Sequence, residues 1–368
     1  MDATIKIYRL LMGIIIVVVG WILLPYISPV LIMLILAFIF TSIFLPVVDS
    51  LERKIRNRGL SVFLIVGFAI VAFIWFIGSF MSNFGLQIKV FSEKLQKQEF
   101  SNSLITLWNK IQVMVPDSII NIIPESSDII TSLQGKLSNI FQNILGLLST
   151  TGNIVFILIM TLIFTVIVLV EYYSFKRSMV RFIPNKYFEI GLRLIYNVEQ
   201  QVSKFLMGQL LAAFTVALLS TFGLFILNQM GANLTLIIFI GIIAGFANLI
   251  PMVGPFVGMI PAILIAIMNN LGNNAAMGHY LFGSIPSPFF IFDIILMFII
   301  VQQIDNNFVT PIVVGESTGL HPMIVMIALL IGGTLMGPLG MLFAVPAAGI
   351  IKVVIQEITF VSQNSHLL

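Results

Sequence analysis

Unbroken apolar runs constrain this chain before anything else does. IVFILIMTLIFTVIVLV at 154–170 carries no charge and no turn residue, and comparable runs occur near 10–24, 30–48 and 60–82. An α-helix needs about 20 apolar residues to cross about 30 Å of hydrocarbon. Only helices and closed barrels satisfy every backbone hydrogen bond there, and a barrel would read as alternating segments of about ten residues. The chain is therefore expected to be all-α, a polytopic helical membrane protein with about six to eight transmembrane helices. A hydrophobic content of 59% with 9% charged residues agrees with that class and falls outside the soluble range.

Lys6 and Arg9 ahead of Leu10–Leu24 look like the start of a secretory signal. No small-residue cleavage site follows, and a second apolar stretch begins after Pro25 and Pro29, so a retained hairpin of two spans is expected. Lysine and arginine then give orientation. LERKIRNRG at 51–59 and the six basic residues within 176–204 are expected to be cytoplasmic, which places both termini inside and residues 83–150 outside. That outer segment, interrupted by Pro116 and Pro124, reads as an extracytoplasmic amphipathic helical arm. Within it Ile130, Leu133, Leu137, Ile140, Ile144 and Leu147 follow a 3-4 spacing that serves either a seam against another subunit or packing on the same chain. Residues 185–204 interleave apolar and charged positions and are expected to form a cytoplasmic amphipathic helix at the interface, leading into the next span.

From Phe205 to Ile351 there is no Lys or Arg, and only Asp293, Asp305 and Glu316 carry formal charge. Two fragments of this half resemble one another: NLIPMVGPFVGMIPAILIAI at 248–267 and TLMGPLGMLFAVPAAGIIKVV at 334–354. Each has a Gly-Pro pair (Gly254-Pro255, Gly337-Pro338), a glycine-containing apolar stretch, then Pro-Ala at Pro261 or Pro346. Proline removes a backbone donor and glycine admits close approach, so broken helices are expected around 248–268 and 320–352. Full spans and re-entrant hairpins both fit. Internal similarity with broken helices is the pattern of a secondary transporter.

QQIDNNFVTPIVVGESTGLHP at 302–322 concentrates polarity where a helix leaves or crosses the membrane. Gln302 is three residues from Asp305 and four from Asn306, so they share a helical face, and Gln303 and Asn307 widen the polar surface. Such groups line water, meet protein partners, or have reached the headgroups, with Pro311 and Gly315 making the turn. Asn248, ahead of the first Gly-Pro pair, either orients freed carbonyls or touches cargo. Gln209 suits capping of a neighbouring helix better than binding. Asp293 opens its span and is expected to reach the outer interface. No cysteine is present and His279, His321 and His366 are far apart, so no metal site or cofactor is expected. No phosphate loop, zinc-hydrolase motif or nucleophile elbow occurs, which argues against an enzyme, and no basic block suggests nucleic acid.

GQLLAAF (208–214), NLIPMVGPFVGMIPA (248–262), QQIDNNFVTPIVVGESTGLHP (302–322) and GGTLMGPLGMLFAVPAAGIIK (332–352) resemble, in order and spacing, the AI-2E family of bacterial membrane transporters. Matched by position, Pro251, Gly254, Pro255, Pro261, Asn306, Asn307, Pro311, Gly315, Pro322, Gly333, Gly337 and Pro346 fall on the family's pattern, while Asp305 stands where glutamate is usual and Met252 where an aromatic is common. The resemblance implies an inner-membrane homo-oligomer, with some members associated with export of autoinducer-2 and others with sodium or lithium exchanged for protons.

The expected organisation is N-terminal spans over 1–82, the outer arm over 83–150 and a transport core over 151–368. The expected function is secondary-type export of a small hydrophilic solute. Asn248, Gln302, Gln303, Asp305, Asn306 and Asn307 line its path, and Pro251, Gly254, Pro255, Pro261, Pro311, Gly315, Gly333, Gly337, Pro338 and Pro346 act as hinges. One alternative is sodium/proton antiport, in which Asp305 alternates between proton and ion; another is a membrane scaffold.

Overall fold

The structure, a computed structural model, describes residues 2–95, 135, 139, 146, 151–270, 273–312 and 319–363. Six of the described helical elements are long and apolar enough to cross a membrane, the last of them, Pro322–Gln363, with its two arms taken together. The seam residues of the expected outer arm, Ile130 to Leu147, lie outside the described residues.

Helix α1 (Asp2–Ile55) is one helix of 54 residues, about 81 Å long, and the expected turn at Pro25 and Pro29 is absent. In hydrocarbon every other backbone group still needs its helical partner, so proline interrupts a bond or two without ending the helix. One crossing rather than two then precedes the basic cluster 51–59, and the argument for a cytoplasmic N-terminus falls with the hairpin. Helix α2 (Arg58–Leu95) likewise continues past residue 82, where the sequence suggested that the outer arm begins.

Residues 1–72 and 150–182 form one compact unit. Its core is Val48, Val62, Val66 and Leu169, which join α1 and α2 to α3 (Thr151–Arg181). Arg58 fixes this corner. Its guanidinium donates twice to the Leu169 carbonyl, at 2.8 and 2.6 Å, and pairs with Asp49 and Glu52 at 3.2 and 2.8 Å. The ring of Tyr173 lies 4.6 Å from the guanidinium carbon, and its hydroxyl donates to Asp49.

Residues 73–149 and 183–368 form the second unit. Helix α4 (Phe188–Leu227) is continuous for 40 residues, about 60 Å. The bend that would let 188–204 lie in the membrane plane before the chain crosses is therefore missing. Gln209, Ala213, Val216, Ser220, Leu224 and Leu227 recur every three or four residues and form its buried face. After a π-turn at Asn228–Ala232 come α5 (Ile237–Ala247) and α6 (Gly254–Asn270).

Helices α5 and α6 have 11 and 17 residues, about 16 and 25 Å, so neither crosses the hydrocarbon alone. They pack against each other as a helical hairpin, and the shortness of α5 favours the re-entrant layout over two full spans. Glycine sets the spacing. A Cβ on Gly245 would stand 2.5 Å from the Ala213 carbonyl of α4, and one on Gly254 2.5 Å from the Ala244 carbonyl of α5. Such small-residue contact lets backbones approach in a solvent that gives apolar side chains no reason to cluster. The chain breaks at 248–253, where Met252 has a φ of 69°. Pro255 sits in the first turn of α6, where a missing donor costs nothing, and Pro261 lies inside that helix without ending it.

Residues 274–290 then form a strap: a helical turn Asn274–Met277, strands β1 (Tyr280–Leu281) and β2 (Ile285–Pro286) paired antiparallel, and a turn Pro288–Phe290. It leads into α7 (Ile291–Ile304), which ends in a π-turn at Asp305–Val309.

The last element, α8 (Pro322–Gln363), is folded on itself. Gly337 has φ 62° and ψ −144°, and a Cβ on Gly332 would lie 2.3 Å from the Gly340 carbonyl oxygen. Residues eight apart in a straight helix are about 12 Å apart, so the chain doubles back at Gly337-Pro338. Lys352 closes the base of this second hairpin by donating to the Gly319 carbonyl at 2.8 Å. Its first arm, 322–336, is about 22 Å long, again short of a full crossing.

Gly245→Leu is expected to cost about 1–3 kcal/mol or more through overpacking against α4. Gly67, with nothing within 4 Å of its added Cβ, is the control: Gly67→Leu should leave the melting temperature of the detergent-purified protein unchanged while Gly245→Leu lowers it.

Candidate functional site: the tip of the first hairpin

The α5–α6 hairpin turns at Asn248, whose N–H closes the last turn of α5 on the Ala244 and Gly245 carbonyls, both at 3.0 Å. Beyond it the Asn248 carbonyl has no helical donor. Gln209 of α4 supplies one, through Nε2 at 2.5 Å. The Asn248 side chain in turn donates from Nδ2 to Asp305 Oδ2 at 3.3 Å, and Thr310 donates from Oγ1 to Asp305 Oδ1 at 3.3 Å. Three elements far apart in sequence thus meet through one chain of hydrogen bonds.

The site is dry. Gln209, Asn248, Gln302 and Asp305 expose 5, 1, 8 and 2% of their surfaces. Among the described residues no basic side chain forms an ion pair with Asp305, so neutral donors alone meet its carboxylate. The π-turn aims it. A wider turn brings Asp305 and Val309 onto the buried face and leaves Asn307 and Phe308 outside. Asn248 Oδ1 and Gln302 Oε1 are buried acceptors with no donor among the described residues. An unpaired buried acceptor costs about 1–3 kcal/mol, so these two oxygens suit a donor that arrives from elsewhere.

The predicted path residues divide accordingly. Asn248, Asp305 and Gln302 are at the site, and Gln302 donates to Asn306 Oδ1 at 2.8 Å. Gln303 and Asn307 are exposed and bonded to each other, Asn307 Nδ2 reaching the Gln303 carbonyl at 2.8 Å and its Oε1 at 3.1 Å. Of the expected hinges, Pro251, Gly254 and Pro255 surround the tip, and Pro261 lies within α6. Gly333, Gly337 and Pro338 belong to the second hairpin, and Pro346 is buried in its second arm. Pro311 sits at the end of the α7 segment, and Gly315 lies outside the described residues. Gln209 does cap a neighbouring helix end, but that end is the site itself. Thr310 carried no sequence signal beyond its spacing from Asp305. Asp293 is buried at the opposite end of α7, with Ser287 and His279 for partners.

The sequence model of a family described as AI-2E family transporter matches residues 10–360. The chain belongs to the AI-2E transporter family. Among curated relatives, the provisionally named transport protein YueF of Bacillus subtilis (strain 168) is 26% identical over 341 residues, 89% of this chain and 84% of YueF. YhhT of Escherichia coli (strain K12), also provisionally named a transport protein, is 22% identical over 89% of this chain and 84% of its own length. The AI-2 transport protein TqsA of the same strain is 25% identical over 117 residues, 32% of this chain and 29% of TqsA. This AI-2E chain is a multi-pass membrane protein, and three of its family-like motifs supply the tip: Gln209 from GQLLAAF, Asn248 from NLIPMVGPFVGMIPA and Asp305 from QQIDNNFVTP.

Gln209→Leu leaves the Asn248 carbonyl buried and unpaired and is expected to cost about 1–3 kcal/mol, seen as a lower melting temperature of the purified protein. Gln209→Glu, which has no donor to offer while its carboxylate is ionised, should fall below the parent as well.

Proposed function

We propose that this chain is a secondary-type transporter that exports a small hydrophilic solute, of the autoinducer-2 kind, past the tip of the α5–α6 hairpin. One observation carries the reading: a buried carboxylate and two donorless amide oxygens stand at a helix break that closes on itself only through Gln209. Hydroxyl-rich cargo supplies the donors those oxygens lack. The Gly254 and Gly337 turns are the hinges on which the two hairpins move, and Asn306, Asn307 and Gln303 line the approach. The protein lies in a bacterial inner membrane with 51–59 and 176–204 toward the cytoplasm and Lys352 on the same side, and works as a homo-oligomer. The name of TqsA supports autoinducer-2 as the first cargo to test.

A second reading puts a monovalent cation at the tip. It rests on Asp305, an acid without a basic partner in a stretch devoid of Lys and Arg. A sodium gradient imposed on vesicles should then move protons, and an unchanged internal pH eliminates antiport.

For the leading reading, autoinducer-2 flux into or out of proteoliposomes is the measurement. Asp305→Asn and Asn306→Leu, each shown to fold, are expected to lower flux roughly tenfold or more, the scale of one charge-assisted hydrogen bond. Flux at the parent level in both variants would place the pathway elsewhere.

A further inference from the structure

At the far end of α7 from Asp305, the strap 274–290 holds unfavourable backbone. Phe282, Phe289 and Phe290 have φ values of 52°, 56° and 61°, a region that bulky residues seldom enter. Such a segment stays in place only if its surroundings hold it. The holding point is Asp293, in the first turn of α7 and 4% exposed. Ser287, fully buried, donates its hydroxyl to Asp293 Oδ2 and accepts the Phe292 N–H at 3.1 Å. His279 Nε2 stands 3.3 Å from Asp293 Oδ1, and its ring stacks on Phe290 at 3.8 Å. The backbone adds a further tie, from Ser287 N–H to the His279 carbonyl at 2.8 Å.

The strap lies over the open end of the first hairpin. A Cβ on Gly231, in the turn between α4 and α5, would be 3.9 Å from the Phe290 ring, and Phe290 shares a core with Ala232, Leu234 and Met268. Of the described residues, the strap, α6, α7 and the Asn228–Ala232 turn contribute only His279, Tyr280, Asp293 and Asp305 as titratable groups, and α2, whose Phe84 and Ile88 join the same core as Phe290, adds the exposed Lys89 and Glu93. Asp305 is at the other end of α7, so His279 and Asp293 face one another without competing charge from the strap, α6, α7 or that turn. The His279 side chain is 22% exposed.

We propose that His279 and Asp293 form a pH-operated clasp that shuts the strap over the hairpin mouth when the imidazole is protonated and frees it when the imidazole is neutral. Protonation turns an ordinary hydrogen bond into an ion pair and strengthens the stacking of the ring on Phe290. In acid the clasp outweighs the backbone strain. When the imidazole is neutral it does not, and the strap lifts. The clasp is independent of which cargo the hairpin tip takes.

The chain has no cysteine, so single thiols report without background. Met277, in the strap's own helical turn, 4% exposed and packed on Phe289, becomes the buried reporter as Met277→Cys, with Ala276→Cys, at 2% exposure, as a second. Ser284→Cys, exposed on the strap, corrects for the pH dependence of thiol chemistry. In detergent-purified full-length protein, the ratio of maleimide labelling at 277 to that at 284 is expected to rise roughly tenfold from about pH 5.5 to about pH 8. His279→Lys, charged throughout, should hold the ratio low at both pH values, and His279→Gln should make it independent of pH. A ratio that stays flat at both buried reporters with His279 present, or a slope that persists in His279→Gln, overturns the clasp. Should the His279 variants fail to fold, the two reporters alone decide.

Discussion

Backbone hydrogen bonding in hydrocarbon governs this architecture, because a carbonyl or N–H that faces lipid has no water to turn to. The long helices meet the demand internally, even through Pro25 and Pro29 of α1. The two hairpins do not. At the tip of the first, the freed Asn248 carbonyl is satisfied by Gln209, and the side chain of Asn248 is spent on Asp305. Polarity at that depth is therefore bound to the break: each polar group is present because another would otherwise be unpaired. Two acceptors remain over, and they make the tip more than a repaired defect.

Short re-entrant helices need close neighbours, and lipid does not drive apolar side chains together as water does. Gly241 and Gly245 of α5 meet Ala217 and Ala213 of α4, and Gly254 and Gly258 of α6 meet Ala244, so three backbones approach with almost no side chain between them. Dispersion and shape hold this layer. The same device recurs where Gly332 meets Gly340 across the second hairpin.

Much of the site was legible in the sequence because polar residues in an apolar background are conspicuous. Asn248, Gln302 and Asp305 stood out for that reason, and the Gly-Pro pairs marked both breaks. Gln209 was underestimated because its partner lies 39 residues away and only the fold brings the two together. The first proline pair misled: the rule that proline ends a helix belongs to water, where released backbone groups are solvated. Gln303 and Asn307 point outward because they lie four residues apart on the helical face opposite Asp305, and only the packing of α7 shows which face is buried.

By itself the sequence determined the solvent, the all-α class, the two Gly-Pro breaks and the residues that carry polarity, since each of these follows from local composition and the cost of bare backbone in lipid. Tertiary structure decided that the breaks are hairpins rather than paired spans, that α5 and α6 stop short of crossing, and that Gln209, Asn248 and Asp305 form one chain. It also put His279 against Asp293. These are contacts between segments, set by which backbones glycine allows to approach, and no stretch of sequence contains that information alone.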